Sequence, residues 1–190
     1  MSYFRSYFDK NNTIIKNKKV NTAKNPSTEI FYGSGFSKFL FTVNFDDLKS
    51  KVTDGTYVLD SNTKHVLHMT NTIFGDETFL GAKRGTGRER TSSFKLILFQ
   101  ITEYWDEGVG FDYEDSGFDF TTGNDTFDVR PSNWFNRTTL DSWSYDGVYT
   151  NNPTILSSQQ FDNGNENLEM DITSYVNDVL TGNTVNYGLG

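Results

Sequence analysis

Cysteine is absent from this 190-residue chain, proline occurs only 3 times and histidine only 2 times. Without cysteine there is no disulfide framework, and thiolate metal sites are excluded. So little proline leaves long stretches free to pair as strands. No apolar run approaches the ~20 residues that a membrane-spanning helix needs. The opening segment, Met1 to Lys10, has no apolar stretch of the kind a secretory signal carries. The two histidines, His65 and His68, stand three apart in a strand-like segment. Their rings are therefore expected on opposite faces, where they cannot share a metal.

What is present is aromatic. Phe, Tyr and Trp make up 16% of the chain, with 17 Phe and 10 Tyr. Together with abundant Thr, Asn and Gly this favours strands over helices. Each buried aromatic removes roughly 150–250 Å² from water, so a hydrophobic content of 35% still supplies a full core.

Charge is unevenly placed within the net −8. Residues 1–24 hold six Lys or Arg and one acid, giving +5, whereas the remaining 166 residues hold 11 bases and 24 acids, giving −13. A basic segment joined to an acidic body can bind the acidic body of a neighbouring copy or a nucleic acid. This one alternates apolar and polar residues and has no Arg-rich run, so a neighbouring copy is the expected partner and nucleic acid is not.

Along the chain, residues 1–25 read as an extended basic N-terminal arm ended by Asn25-Pro26, and residues 26–190 as the folded domain. Residues 38–45 alternate cleanly, with Phe39, Phe41, Val43 and Phe45 on one face and Lys38, Leu40, Thr42 and Asn44 on the other. Residues 46–50 read as a turn. Shorter strands are expected around 57–59, 65–69 and 78–80. Residues 93–101 form a strand apolar on both faces over 96–99, as a central strand should be. Residues 103–128 carry nine acids and no base, and read as a long acidic surface loop. Further strands are expected at 137–143, 154–161 and 168–172.

One helix stands out. Ile172, Tyr175, Val176, Val179 and Leu180 fall at i, i+3, i+4, i+7 and i+8. Asp171 and Thr173 are cap candidates, and Gly182 stands where a left-handed stop is wanted. The pattern predicts a short helix plugging the open end of a jelly-roll-type antiparallel β-sandwich, an all-β fold.

Four landmarks in this order resemble the DNRLRE-type domains, whose fold is similar to carbohydrate-binding-module β-sandwiches. They are the lysine-led strand ending in Phe45-Asp46-Asp47-Leu48, the apolar strand of residues 94–101 followed by Trp105-Asp106-Glu107-Gly108, Trp143 in a threonine-rich context, and the element of residues 171–188. The resemblance spans residues 26–190, makes the region of about 50–90 an insertion relative to the family's shorter connection, and implies a non-catalytic module on a bacterial surface protein or in a tailed-phage virion. It also implies strands beyond Gly190. The basic arm and the missing signal and cysteines fit the virion, assembled in the host cytoplasm.

Among chemical candidates, the segment 81–90 is glycine-rich and basic but lacks the spacing of a phosphate-binding loop. Asp112, Glu114, Asp115 and Asp119 are the best Ca²⁺ candidates, although their spacing is not that of an EF-hand. Trp105 and Trp143 read as core plugs, and Glu107 as a residue fixing a turn through backbone N–H groups. Trp134, between polar neighbours, is the exposed aromatic available to stack on a sugar. No catalytic residue, cofactor or structural metal is assigned.

The expectation is thus a non-enzymatic structural subunit of a phage virion, forming a homo-oligomer with its fellow virion subunits. Phe4, Phe8, Ile14, Ile15 and Val20 of the arm would bury against an adjacent copy, with Lys18 and Lys19 steering the contact. The alternative is a carbohydrate-binding adhesion module that takes a glycan at Trp134.

Overall fold

The computed structural model describes residues 5–16, 21–24, 28, 30, 36–71, 93–110, 118–119, 124–125, 132–149, 153–164 and 166–190. The fold is mainly β with two short helices. In chain order the elements are β1 (Phe8–Ile15), β2 (Ser37–Val43), α1 (Asp46–Thr53), β3 (Val66–Met69), β4 (Phe94–Phe99), β5 (Phe118–Asp119), β6 (Asn124–Asp125), β7 (Ile155–Phe161), β8 (Leu168–Asp171) and α2 (Thr173–Thr181).

The strands pair as antiparallel ladders, β1 with β2, β3 with β8, β4 with β7 and β5 with β6. Two of these ladders are joined through the last residues described. Leu189 exchanges both backbone hydrogen bonds with Phe41 of β2, each 2.8 Å, and Gly190 exchanges both with Phe99 at the end of β4. The row β1, β2, residues 188–190, β4, β7 is therefore continuous.

Alternation along β2 divides the core in two. Phe39 and Phe41 join Phe45, Leu48, Leu67, Leu98, Met170, Ile172, Tyr175, Val176 and Leu189 in one cluster. Leu40 points the other way and joins Ile14, Phe99, Ile101, Trp105, Trp134, Trp143 and Val148. The strand is buried on both faces, so the side carrying Lys38, Leu40 and Thr42 also packs into the core.

The first cluster is closed by regular structure. α2 lays Tyr175 and Val176 into it, with Val179 and Leu180 packed at its margin, as the apolar stripe predicts. Gly182 is the left-handed C-cap at φ 78°, a conformation in which a side chain would be strained. The N-terminus differs in detail: Ile172 is the N-cap, and Asp171 Oδ1 accepts the Thr173 N–H at 2.8 Å from just outside the helix. Residues 46–50, read as a turn, instead begin α1, which contributes Leu48. Asn44 Oδ1 accepts the Asp46 N–H at 2.7 Å, which supplies a helix start that the sequence pattern alone did not mark.

Other expectations change as well. Residues 57–59 form no strand, and residues 137–143 make only the isolated bridge between Asn136 and Ser142. The expected strand at 78–80, the basic segment 81–90 and most of the region 50–90 beyond Asn71 lie outside the described residues.

The largest correction concerns the N-terminal arm. Rather than standing free, Phe8–Ile15 pairs in register with β2 of the same chain, with Ile14 opposite Lys38 and Asn12 opposite Leu40. Ile14 is fully buried and Ile15 nearly so. Residues 21–24 then return along the outer edge of β1: the Thr22 N–H donates to Thr13 O at 3.1 Å, and the Lys24 N–H to Gly110 O at 2.9 Å. Extended, alternating chemistry made this segment fit to complete a sheet, and the sheet it completes is its own. Phe4, Lys18, Lys19 and Val20 lie outside the described residues.

Candidate functional site: a lysine in an aromatic box

The second cluster is covered by irregular chain, residues 101–110 and 132–149, and by three tryptophans. Trp105 is fully buried, and its indole N–H donates to Tyr187 O at 2.7 Å. Trp143 donates its indole N–H to Asn133 O at 2.9 Å. Both plug the core, as expected. Buried polar side chains fasten the loops to the N-terminal strand. Asn12 Nδ2 donates to Ser132 Oγ at 2.7 Å and to Ser132 O at 3.0 Å, and Asn21 Nδ2 donates to Ser132 O at 2.9 Å. Ser132 Oγ donates in turn to Asp106 O at 2.6 Å. Such bonds to otherwise orphaned backbone groups let an irregular segment be buried without loss.

Glu107 belongs to the same fastening. Its carboxylate accepts the Asn11 N–H at 3.2 Å and the Lys24 ammonium at 2.7 Å, so it ties the loop to β1 rather than fixing its own turn. Residues 103–110, expected as acidic surface, are instead part of this cover, with Trp105, Gly108 and Gly110 buried. Asp112, Glu114 and Asp115 lie outside the described residues, and only the backbone of Asp119 is described, in β5. Among the described residues no group of three metal-ligating side chains converges.

Trp134 does not stand open to solvent. It is 6% exposed, with its ring edge-on to Phe36 at a centroid distance of 5.2 Å. It is displaced from the surface by its own loop: Gly147 lies against the indole so closely that a Cβ there would meet Cζ2 at 2.5 Å. Gly147 has φ 77°, and Val148 follows with φ 86°, a left-handed conformation that a β-branched residue rarely adopts. The Gly147 N–H donates to Trp134 O at 2.7 Å, locking the turn over the ring. The expected sugar platform is a wall of the core.

That wall faces Lys38. From β2 the side chain runs across the second cluster, and Nζ donates to Gly147 O at 2.5 Å. Around it stand four rings, Tyr149 at 3.5 Å from Nζ to centroid, Trp134 at 5.0 Å, Phe99 at 5.7 Å and Phe36 at 5.8 Å. Ring faces attract a cation, but they replace little of its hydration. Burial pushes the Lys38 ammonium down to about 8 from the ordinary 10.5, and among the described residues no neighbouring carboxylate opposes the shift. Lys38 carries no role in the sequence reading beyond leading an apolar strand.

His65 is half-buried, and burial lowers its pKa against the pull of Asp171, whereas His68 is exposed with Nε2 3.8 Å from Glu169.

Comparison of the chain with known protein families, with curated proteins and with solved structures finds no match.

Proposed function

We propose that the chain is a non-enzymatic structural subunit of a tailed-phage virion, a DNRLRE-like domain of jelly-roll-type sandwich topology that associates with copies of itself. The resemblance is supported by the way its landmarks meet in space. Phe39 and Phe41, Leu98, and Tyr175, Val176 and Leu189 share one cluster, and Trp105 bonds to Tyr187 of the last landmark.

The observation that carries self-association is the aromatic step where β1 begins. Tyr7 is 77% exposed and Phe8 39%, while Ile14 and Ile15 of the same segment are committed to the chain's own core. The Phe8 ring lies on Phe41 at 4.8 Å and Phe39 at 5.7 Å, so it continues the first cluster to the surface. Fixed aromatic side chains at a sheet margin bury large areas at small entropic cost, which suits a subunit contact. Among the described residues of the arm, Tyr7 and Phe8 are the ones left for such a contact.

Sedimentation of the chain and of Tyr7→Arg tests this reading. We expect an oligomer that the substitution dissociates while thermal unfolding of the subunit changes little. Association unchanged by Tyr7→Arg would sink the proposed contact, and a monomeric wild type that binds glycans saturably would favour an adhesion module. That alternative has lost the residue chosen for it, because Trp134 offers no open ring face.

A further inference from the structure

Three steps in the chain join Asp or Asn to glycine: Asp54-Gly55, Asp146-Gly147 and Asn163-Gly164. At such a step the glycine nitrogen can close a ring onto the preceding side-chain carbonyl, because no Cβ crowds it. All three glycines have positive φ, at 76°, 77° and 71°, so backbone conformation does not separate them. Hydrogen bonding does. The Gly55 N–H donates to Val52 O at 3.3 Å and the Gly147 N–H to Trp134 O at 2.7 Å. Among the described residues the Gly164 N–H has no acceptor. We propose that Asn163 is a site of self-modification, its amide converted to a carboxylate through a cyclic imide formed with the Gly164 nitrogen.

The surroundings leave this site open to react. Asn163 is exposed, in the turn that joins β7 to β8. Its Nδ2 meets Glu166 Oε1 only at 3.4 Å, too long a contact to hold the side chain firmly. Two other exposed asparagines, Asn62 and Asn183, are each followed by a threonine whose N–H is committed. The Thr63 N–H donates to Asp60 O at 3.1 Å and the Thr184 N–H to Asp178 O at 3.1 Å. There the nitrogen must first break a bond and then close the ring beside a β-branched side chain.

The reaction needs only water. The Gly164 nitrogen gives its proton to solvent hydroxide and forms a bond to Asn163 Cγ. The tetrahedral centre expels the side-chain nitrogen, which takes up a proton and leaves as ammonia. Water then opens the imide. Attack at the side-chain carbonyl gives aspartate, and attack at the main-chain carbonyl gives isoaspartate.

Both products disturb the turn. Glu166 Oε1 accepts the Asp162 N–H at 2.9 Å and the Asn163 N–H at 2.8 Å, so a carboxylate at 163 sets like charge beside like charge. Gly164 O accepts from Asn71 Nδ2 at 3.1 Å, which ties the turn to the segment after β3. Isoaspartate lengthens the main chain immediately before that carbonyl and pulls it out of place.

Peptide mapping of the intact, folded chain by mass spectrometry, over days at mildly alkaline pH, tests the proposal. Asn163 is expected to convert roughly tenfold faster than Asn62 and Asn183, because its neighbouring nitrogen has no hydrogen bond to break. Isoaspartate, the signature of the cyclic imide, is expected among its products. Gly164→Ala, which sets a Cβ beside the nucleophile, is expected to slow Asn163 and to leave Asn62 and Asn183 unchanged. Conversion of Asn163 no faster than that of Asn62 and Asn183 overturns the proposal. So does a product that is aspartate alone, or a rate that Gly164→Ala leaves unchanged.

Discussion

The two faces of the central strand β2 are closed in different ways. On the Phe39 and Phe41 side, α1, α2 and the β3–β8 ladder supply apolar side chains from regular elements whose backbone groups are already paired. On the Leu40 side, loops do the same work, and their backbone groups are satisfied one at a time by Asn12, Asn21, Ser132, Trp105 and Trp143. A face closed by helices can be built from apolar periodicity alone. A face closed by loops needs specific polar partners, and it can hold a group such as Lys38 that a helix-covered core would exclude.

The same contrast separates two lysines. Lys10 also donates to a carbonyl, Trp105 O at 2.7 Å, and also lies over rings, Tyr104 at 4.7 Å and Trp105 at 4.8 Å. Burial lowers its pKa too, but Asp106, Asp9 and Glu107 pull it back. Among the described residues Lys38 has the rings and the carbonyl without the carboxylates, so burial lowers its pKa with nothing pulling it back.

The largest expected effect asks whether the loop-covered face is as much a core as the other. Trp105→Ala and Phe41→Ala each remove a fully buried aromatic, one from each face. Both are expected to cost about 3–5 kcal/mol in chemical denaturation. A loss below about 1 kcal/mol for Trp105 alone, far under that range, would make the loops a veneer on a one-sided sheet.

A smaller effect concerns pH. The folded-state pKa of Lys38 lies below its unfolded value, so the unfolded chain binds more protons between about 8 and 10.5. Stability contributed by this group is absent below pH 8 and rises as pH climbs through that window. Tyr175 acts oppositely and later: burial pushes its hydroxyl up to about 12, so its contribution is lost as pH rises from 10 toward 12. Lys38→Met keeps the volume and removes the charge. It is expected to stabilise the chain at pH 7 by on the order of 1–2 kcal/mol, less than the full pKa difference because the amine is only partly buried. It should also abolish the rise between pH 8 and 10, measured by urea unfolding. An unchanged rise in the variant would assign it to another group.

How far the sequence reveals each face follows from the same physics. α2 was legible because its burial is one-sided, so Ile172, Tyr175 and Val176 repeat at helical spacing and Gly182 ends them. Strands β2 and β4 were legible from other local patterns, the alternating phenylalanines of β2 and the apolar run over residues 96–99 of β4. α1 was hidden because Leu48 is its one buried residue and its start rests on Asn44, outside the helix. The loop-covered face left almost no local trace. Asn12 and Ser132 are 120 residues apart, and nothing about either one announces the other. Trp134 was misjudged on its polar neighbours: Asn133 and Asn136 flank it because the loop turns there, with Asn133 Oδ1 accepting the Phe135 and Asn136 N–H groups. The N-terminal strand was read correctly as extended and wrongly as free, because alternation specifies that a strand will pair but not with which edge.

Exchange of the indole protons of Trp105 and Trp143 tests the central claim, that loops and helices close one cooperative core, most directly. Both protons are hydrogen-bonded to loop carbonyls on the loop-covered face, whereas the Val176 amide, bonded to Ile172 O at 3.0 Å, reports the helix-covered face. If the two faces open together, all three exchange only through global unfolding and slow in parallel as the chain is stabilised. Indole protons that exchange orders of magnitude faster than the Val176 amide would show a loop cover opening on its own, and would contradict the account.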